Sequence, residues 1–437
     1  MAAGGLCSAA AAARAVSRGW RGAATLAVHP AAGLADEAVE TRALGLSPRQ
    51  AVTLRALATA ELGGSLFASC AHYEADAGGR LELARAAALG GDFRGLEPMG
   101  LFWSLAPAAL EPPYRRLVPR GLRPLCVDLL LHDGHSPAGA LPGPLLARAR
   151  LERCFTAPGV RRVRLKEGRV RGSLFLPAGD GPFPGVIDMF GDEGGLTEYR
   201  ASLLANRGFA ALSLPYFDFE DLPRVMKDLN FQYFEEAVRF LQHHPKVKGP
   251  GIGVIGTGKG AELAFSMITY LPEVVAAVCI SGCSFHTVTD LHYGEKTLPA
   301  LRFDMSKVIV SENGVFDIFE ALDDPRDPAN SHCCIPIEKA EGHFLLVVGE
   351  ADRNWKSSLY AELAIERLRH HGKDNFTLLS YPGAGHQIDP PSTPFCLVAI
   401  DRVLRVPVLG GGESRAHAYA QEDSWWKIQK FLRLHLG

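Results

Sequence analysis

The sequence predicts an α/β protein in two parts: an N-terminal antiparallel β-sandwich, then a larger, mostly parallel sheet flanked by helices. Three observations predict it. The chain has 437 residues, more than one typical small domain holds. Before about Val160, short β-like runs are cut by Gly and Pro at roughly ten-residue intervals, the pattern of a sandwich. After about Val163, strand-like and helix-like segments alternate, the pattern of parallel βαβ units. The expected divisions are a leader at 1–22, a sandwich at 23–160 and an α/β domain at 161–437.

In the first part, "AVTLRALA", "GSLFASCAHYEA" and "RPLCVDLLLHDG" read as half-buried strands, since apolar and polar residues partly alternate. "LEPMGLFWSLAP" reads as apolar packing between the two parts. In the second part, "VRGSLFLPAGDGPFPGVIDMFG" reads as a hairpin leading into a buried strand, Gly185–Met189. "EYRASLLANRGFAALSLPYF" reads as a helix, then a strand at Ala210–Leu214. "FEEAVRFLQHHPKV" is helical, with Phe234, Val238 and Leu241 at helical spacing. His243 and His244 at its end read as solvated side chains that suit the helix dipole. "GIGVIG" is a strand and "AELAFSMITYL" a helix. "VVAAVCISG" is a strand, as is "HFLLVVGEAD". "SSLYAELAIERLRHHG" is a helix, "FTLLSYPGAGH" a strand, and "EDSWWKIQKFLRLHL" an amphipathic final helix with Trp425, Ile428, Leu432 and Leu436 on one face.

Composition narrows the function classes. Hydrophobic residues make up 47% and charged residues 22%, with a net charge of −2. That balance offers no basic surface for nucleic acid and no polybasic patch for a membrane. No charge-free apolar run reaches the ~18 residues of a membrane helix. The nine cysteines are odd in number and scattered, which reads as reduced thiols. Cys279 and Cys283, and adjacent Cys333 and Cys334, lack a second Cys or His pair at zinc spacing, so no metal is expected. The leader "MAAGGLCSAAAAARAVSRGWRGAATLAV" carries Arg14, Arg18 and Arg21 and no acid before Asp36. That is the composition of a mitochondrial transit segment and points to the matrix, with the cytosol as the alternative. The terminal "RLHLG" is not a peroxisomal address.

Chemistry in α/β sheets sits at the carboxyl ends of strands. Three strand ends stand out, after Ile255, Val348 and Ser380. The first opens "GVIGTGKGAELAF", which fits three motifs. Gly256, Gly258 and Ala261 fit a dinucleotide fingerprint, but the next strand supplies no acid for a ribose. Gly253, Gly258 and Lys259 fit most of a P-loop, but Gly260 stands where Mg²⁺ needs a hydroxyl. Gly256 and Gly260 bracket Gly258 in the spacing of the nucleophile elbow G-x-S-x-G. The elbow reading demands an acid and then a His further on. Asp352 follows "FLLVVG", and His386 follows "TLLSY". "MFGDEGGLTEYR" offers Gly191, Gly194 and Gly195 as an oxyanion loop. The nucleophile alone is missing, because Gly258 has no side chain. Thr257, Ser266 and Ser281 are not expected to replace it. Lys259 reads as a surface residue at a helix start.

Several longer segments then become recognisable, in order and at similar spacing: "GLEPMGLFW", "GPFPGVIDMFG", "EYRASLLA", "YFEEAV", "HPKVKGPGIG", "YPGAGHQIDPP", "GGESRAHAYAQ" and "FLRLHL". Over nearly its whole length the chain resembles the acyl-CoA thioesterase and bile acid-CoA:amino acid N-acyltransferase family. The leader is most similar to the mitochondrial-type thioesterases. "NWKS" is similar to the thioesterase branch and "LLSYPGAGHQIDPP" to the acyltransferase branch. The resemblance implies a β-sandwich before an α/β-hydrolase domain that cleaves or transfers the acyl group of a fatty acyl-CoA. It implies no separate cofactor, coenzyme A being part of the substrate. It assigns the nucleophile position to Gly258, where thioesterase members carry Ser and amino-acid-conjugating members Cys. It assigns the acid to Asp352, the base to His386, and the oxyanion donors to the backbone N–H groups of Lys259 and Gly191. Three functions follow as expectations: a thioester hydrolase with impaired turnover, a non-catalytic acyl-CoA or fatty-acid binding paralogue, and an acyl-CoA:amino acid N-acyltransferase.

Overall fold

A computed structural model describes residues 23–61, 63–119, 121–136, 141–191, 193–227 and 229–437. The predicted leader at 1–22 lies outside the described residues.

Up to Cys154 the chain forms two antiparallel-rich sheets. Strands Thr25–His29, Glu40–Leu44 and Leu81–Glu82 make the smaller one. The larger is built on Ala51–Thr59, Leu66–Glu74, Leu125–Asp133 and Leu145–Cys154. Its register sets Leu54 opposite both Ala71 and Leu131. In Leu66–Glu74 every second residue is buried, so one face of the pleat meets the core and the other meets water or the second domain. Val52, Leu54, Phe67, Tyr73, Leu129 and Leu131 form that core. The segment read as interdomain packing belongs mainly to the sandwich. Leu101, Phe102 and Trp103 join its core as a short helix, and Ser69 Oγ donates to the Leu101 carbonyl at 2.6 Å.

The second part is an eight-stranded sheet: β1 (Arg161–Glu167), β2 (Val170–Leu176), β3 (Phe183–Met189), β4 (Ala210–Ser213), β5 (Val247–Thr257), β6 (Val274–Ile280), β7 (His343–Gly349) and β8 (Phe376–Tyr381). Their order in space is β1-β2-β4-β3-β5-β6-β7-β8. The β1–β2 hairpin is antiparallel, β2 pairs antiparallel with β4, and the remaining neighbours are parallel. The helices are α1 (Tyr199–Asn206), α2 (Phe231–Gln242), α3 (Lys259–Tyr270), α4 (Ser357–His370) and α5 (Ser414–Leu436). α2, α3 and α4 bury Phe234, Leu241, Leu263, Met267 and Leu368 against one face of the sheet. α1 and α5 bury Leu203, Leu204, Trp425, Ile428, Leu432 and Leu436 against the other. Parallel strands covered on both faces read as continuous apolar runs, which is how β3, β6 and β7 appear in the sequence. His243 caps α2 and is exposed, whereas His244 is half-buried and its imidazole is pushed toward the neutral form by that burial.

The sequence reading did not foresee a cap built from segments before α2, between β6 and β7, and after β8. It holds a small sheet of Ile309–Val310, Phe316–Asp317, Pro407–Leu409 and Val398–Ile400, and a second of Leu229–Asn230, Leu291–Tyr293 and Lys296–Leu298. These strands have two or three residues each, too short to show a period.

One buried carboxylate ties the two parts together. Asp36, in the first part, accepts from Arg207 Nε at 3.0 Å and from Trp425 Nε1 at 2.9 Å. Its side chain is fully buried. Replacing Asp36 with Ala would leave a guanidinium and an indole N–H without their shared acceptor. Breaking such a pair costs about 3–5 kcal/mol, and a fall of that size is expected in the stability of Asp36→Ala from urea denaturation.

Candidate active site

β5 turns into α3 through the residue at the centre of the elbow. Gly258 has φ 55° and ψ −120°, a backbone region that side-chain-bearing residues enter only under strain. The turn is also sterically tight at its flanks. A Cβ on Gly256 would stand 2.1 Å from the Gly260 carbonyl oxygen, and one on Gly260 would stand 2.7 Å from that of Met189. The sequence thus places glycine where the backbone must cross itself closely.

The structure brings the other predicted site residues to this turn. A Cβ on Gly258 would lie 3.1 Å from His386 Nε2, so the imidazole borders the space that a serine or cysteine side chain fills. On its far side, His386 Nδ1 donates to Asp352 Oδ2 at 2.8 Å. Asp352 is itself oriented. Its Oδ1 accepts from the backbone N–H groups of Asn354 and Trp355 at 2.8 and 2.9 Å, and its Oδ2 accepts from Ser357 Oγ. Both side chains are largely buried. Gly191 lies against the turn: a Cβ there would be 3.4 Å from Lys259 N and 3.7 Å from Gly258 Cα. Gly194 and Gly195, with positive φ, turn the same loop away.

The hydroxyls near the turn are engaged elsewhere. Thr257 Oγ1 accepts from Arg200 Nη1 at 2.7 Å, Ser266 Oγ donates to the Glu262 carbonyl, and Ser281 Oγ donates to the His386 carbonyl at 2.7 Å. The side chain of Lys259 corrects its sequence reading. It is fully buried, and its Nζ donates to Glu262 Oε1 at 2.6 Å and to the Thr287 carbonyl at 2.7 Å. Glu262 Oε2 in turn accepts from the Thr287 backbone N–H and hydroxyl. The pair is an internal pin between the start of α3 and the loop after β6, and its charge is not available to a phosphate. The ammonium alkyl stem packs where a surface lysine would have had water, because the loop after β6 folds over the helix start.

Two positioning residues escaped the sequence reading, and a third, Ser281, enters it only as a stand-in nucleophile. Arg200 is buried on α1 and clamps the elbow from beneath, bonding Asp188, Thr257 and the Met189 carbonyl. His417 on α5 brackets the base: its Nδ1 accepts from Gly385 N–H at 3.1 Å and its Nε2 donates to the Gln387 carbonyl at 2.9 Å. Burial lowers its pKa, which keeps it in the neutral form that can accept and donate at once. Ser281 fixes the His386 carbonyl, while the His386 N–H donates to the Gly410 carbonyl at 3.0 Å. The available signal was a run of polar residues (His417, Gln421 and Ser424) on the apolar face of α5.

The cleft above this turn is lined by His386, Asn354, Gly191 and Arg116. Arg116 is buried between Glu193 and Asp389. Among the described residues no group of three or more His, Cys, Asp or Glu is arranged to hold a metal ion, and no helix is long and apolar enough to cross a membrane. The described cysteines are free thiols, with Cys279, Cys283 and Cys333 buried.

A sheet of this strand order, with a glycine-flanked turn after its fifth strand and loops converging from the seventh and eighth, is that of an α/β-hydrolase. Comparison with known families narrows it further. The family described as "BAAT / Acyl-CoA thioester hydrolase C terminal" matches residues 229–437, and "Acyl-CoA thioester hydrolase/BAAT N-terminal region" matches residues 36–167. The chain is 48% identical to acyl-coenzyme A thioesterase 1 of Homo sapiens over 95% of its own length and 97% of that protein's. It is 48% identical to the mitochondrial acyl-coenzyme A thioesterase 2 of Homo sapiens, over 95% and 85% respectively. It is 46% identical to the peroxisomal succinyl-coenzyme A thioesterase of Mus musculus, over 95% and 97%. The chain belongs to the acyl-CoA thioester hydrolase/BAAT family.

The buried Lys259–Glu262 pair carries a testable pH dependence. Burial acts to raise the Glu262 pKa, but Lys259 and His286 outweigh it and hold the value below its ordinary 4.5. A depressed carboxyl pKa stabilises the fold above the unfolded value, and that contribution is lost as pH falls through the folded value. Glu262→Gln is expected to cost about 3–5 kcal/mol at neutral pH. The gap from wild type should narrow as denaturation is repeated below pH 4.5.

Proposed function

We propose that this protein acts on fatty acyl-CoA thioesters at the Gly258–Asp352–His386 site, with turnover far below that of a complete triad. The observation that carries the reading is Gly258, which supplies no attacking atom beside an otherwise assembled base and acid. In a complete site, a side-chain nucleophile loses its proton to the His and attacks the carbonyl. Here the attacking atom has to be a water oxygen. His386 Nε2 takes its proton as the oxygen bonds to the thioester carbon, and Asp352 stabilises the resulting imidazolium. The N–H groups of Lys259 and Gly191 hold the oxyanion. The carbon–sulfur bond then breaks, and the proton on His386 passes to the departing thiolate.

This route omits the covalent acyl-enzyme. Removing the nucleophile of a serine hydrolase costs on the order of 10⁶ in turnover, with roughly 10³–10⁴ over water retained from binding and the oxyanion hole. The same geometry supports a second reading, a non-catalytic acyl-CoA binding paralogue, because Gly258 leaves the cleft and its donors in place. Transfer to an amino acid needs the acyl-enzyme as well, so the empty nucleophile position weighs against it. We place the protein in the mitochondrial matrix, on the arginine-bearing leader and the mitochondrial relative, with the cytosol as the alternative.

Gly258→Ser is the direct test. Palmitoyl-CoA hydrolysis by the native chain is expected to be slow, and to fall further, by about 10²-fold or more, in His386→Ala, which removes the base for the attacking water. Gly258→Ser should raise it by at least about 10²-fold, short of the full 10⁶ because His386 must give way to the new Cβ. The same substitution is expected to cost about 1–3 kcal/mol of stability, since Ser enters a positive-φ region. Ordinary enzymatic turnover by the native chain would overturn the reading. Acyl-CoA binding to both forms with no gain from serine would favour the binding paralogue.

A further inference from the structure

The thioester cleft holds a carboxylate that the triad does not use. Asp401 lines it together with His386, Thr257, Asn354 and Gly191. It sits in the cap, in the turn between the short strands Val398–Ile400 and Pro407–Leu409. That hairpin is tied to the loop of the base. The Gly410 N–H donates to the Leu397 carbonyl at 2.8 Å, and the Gly410 carbonyl accepts from the His386 N–H at 3.0 Å. The cleft encloses about 80 Å³. One water occupies about 10–15 Å³ of such a cavity, so a handful of waters fill the space between its walls.

One oxygen of Asp401 is fixed and the other is open. Oδ1 accepts from the backbone N–H groups of Val403 and Leu404 at 2.8 and 2.6 Å. Oδ2 takes no hydrogen bond from a described residue, and it is not among the polar atoms sealed in the interior. Burial raises the carboxyl pKa, and the Leu404 and Val403 N–H groups and then the His386 imidazole pull it back. That last pull acts through space, so the carboxylate stands within electrostatic reach of the base. An Asp that only holds its own turn does so with one oxygen, accepting from N–H groups a few positions on. Such a role leaves Oδ2 unexplained, a charged acceptor in a confined cleft without a donor. The other carboxylate lining the cleft, Glu193, is held by Arg116, whereas Asp401 has no ion pair with Lys or Arg among the described residues.

With Gly258 in the elbow, the attacking atom is a water oxygen, and a confined water needs two to four polar partners. His386 Nε2 is one. The N–H groups of Lys259 and Gly191 only donate, so neither can take the second hydrogen of the water. We propose that Asp401 is a catalytic residue of this chain and holds the attacking water, its Oδ2 accepting one O–H while His386 Nε2 accepts the other. The role rests on the water attack proposed above. As an oxygen lone pair bonds to the thioester carbon, the proton facing His386 crosses to Nε2 and later leaves with the thiolate. The proton facing Asp401 stays on the oxygen and departs with the carboxylic acid. Two fixed acceptors give the water the orientation that a serine oxygen has from its covalent tether.

Asp401→Asn separates this role from the turn. Asn keeps an oxygen for the Val403 and Leu404 N–H groups and puts an NH₂ group, which only donates, where Oδ2 stood. Palmitoyl-CoA hydrolysis by Asp401→Asn is expected to fall about 10²-fold below that of the native chain. Palmitoyl-CoA affinity by calorimetry and the thermal melt should stay as they were. Native hydrolysis above that of His386→Ala, left intact by Asp401→Asn, would overturn the role of Asp401 and leave the water attack standing. So would a loss of hydrolysis matched by an equal loss of affinity or by a lowered melt, which would mark Asp401 as a structural residue. Native hydrolysis no higher than that of His386→Ala would remove the water attack itself, and the role of Asp401 with it.

Discussion

The close crossing of backbone between β5 and α3 is the constraint on which the site depends. Gly256 and Gly260 let the chain turn back within contact distance of itself, and Gly258 takes the positive φ that the turn imposes. The turn aligns the start of α3 with the loop after β3, which brings Lys259 N and Gly191 to adjacent positions. It also fixes where a side chain at 258 would point, toward His386. A glycine at that point relaxes the backbone strain an elbow ordinarily stores while leaving its shape intact. The scaffold around it has not relaxed. Arg200 still clamps the turn from below, Lys259 and Glu262 still pin its helix, and Asp352 still accepts the imidazole N–H.

Much of this was legible in the sequence because it rests on patterns with a physical period. The apolar runs of β3, β6 and β7, the helical spacing of Phe234, Val238 and Leu241, and the stripe on α5 all report burial directly. The glycines at 256, 258 and 260 were legible for another reason: a close backbone approach tolerates few other residues. Asp352 and His386 could be singled out because strand ends are where an α/β sheet gathers its chemistry. What stayed hidden was set by distant partners. Lys259 is a charge at a helix start, and only the fold-back of residues 287–289 shows that it is buried. His417 holds the loop of the base from 31 positions further along the chain. The cap strands carry no period at two or three residues each, so nothing local announces them.

The cleft at Gly258 is ringed by backbone N–H groups, an imidazole and a guanidinium already engaged by two carboxylates. Beside it, Arg116, Asp389 and Tyr199 form a buried polar cluster. Arg116 is held in its charged form chiefly by Asp389, against the burial that opposes it.

The tie through Asp36 also bears on the order in which the protein is made. Asp36 and Trp425 are 389 residues apart. A ribosome adding about 5–20 residues per second needs roughly 20–80 s to travel between them. Once Cys154 has been added the sandwich is complete, but for the rest of that interval it has no finished partner to dock against. Arg207 emerges midway and offers Asp36 a provisional counter-charge, while the indole arrives only with the last helix. The final seal between the two parts therefore waits for Trp425, and the nascent chain carries an open apolar seam until that helix leaves the exit tunnel.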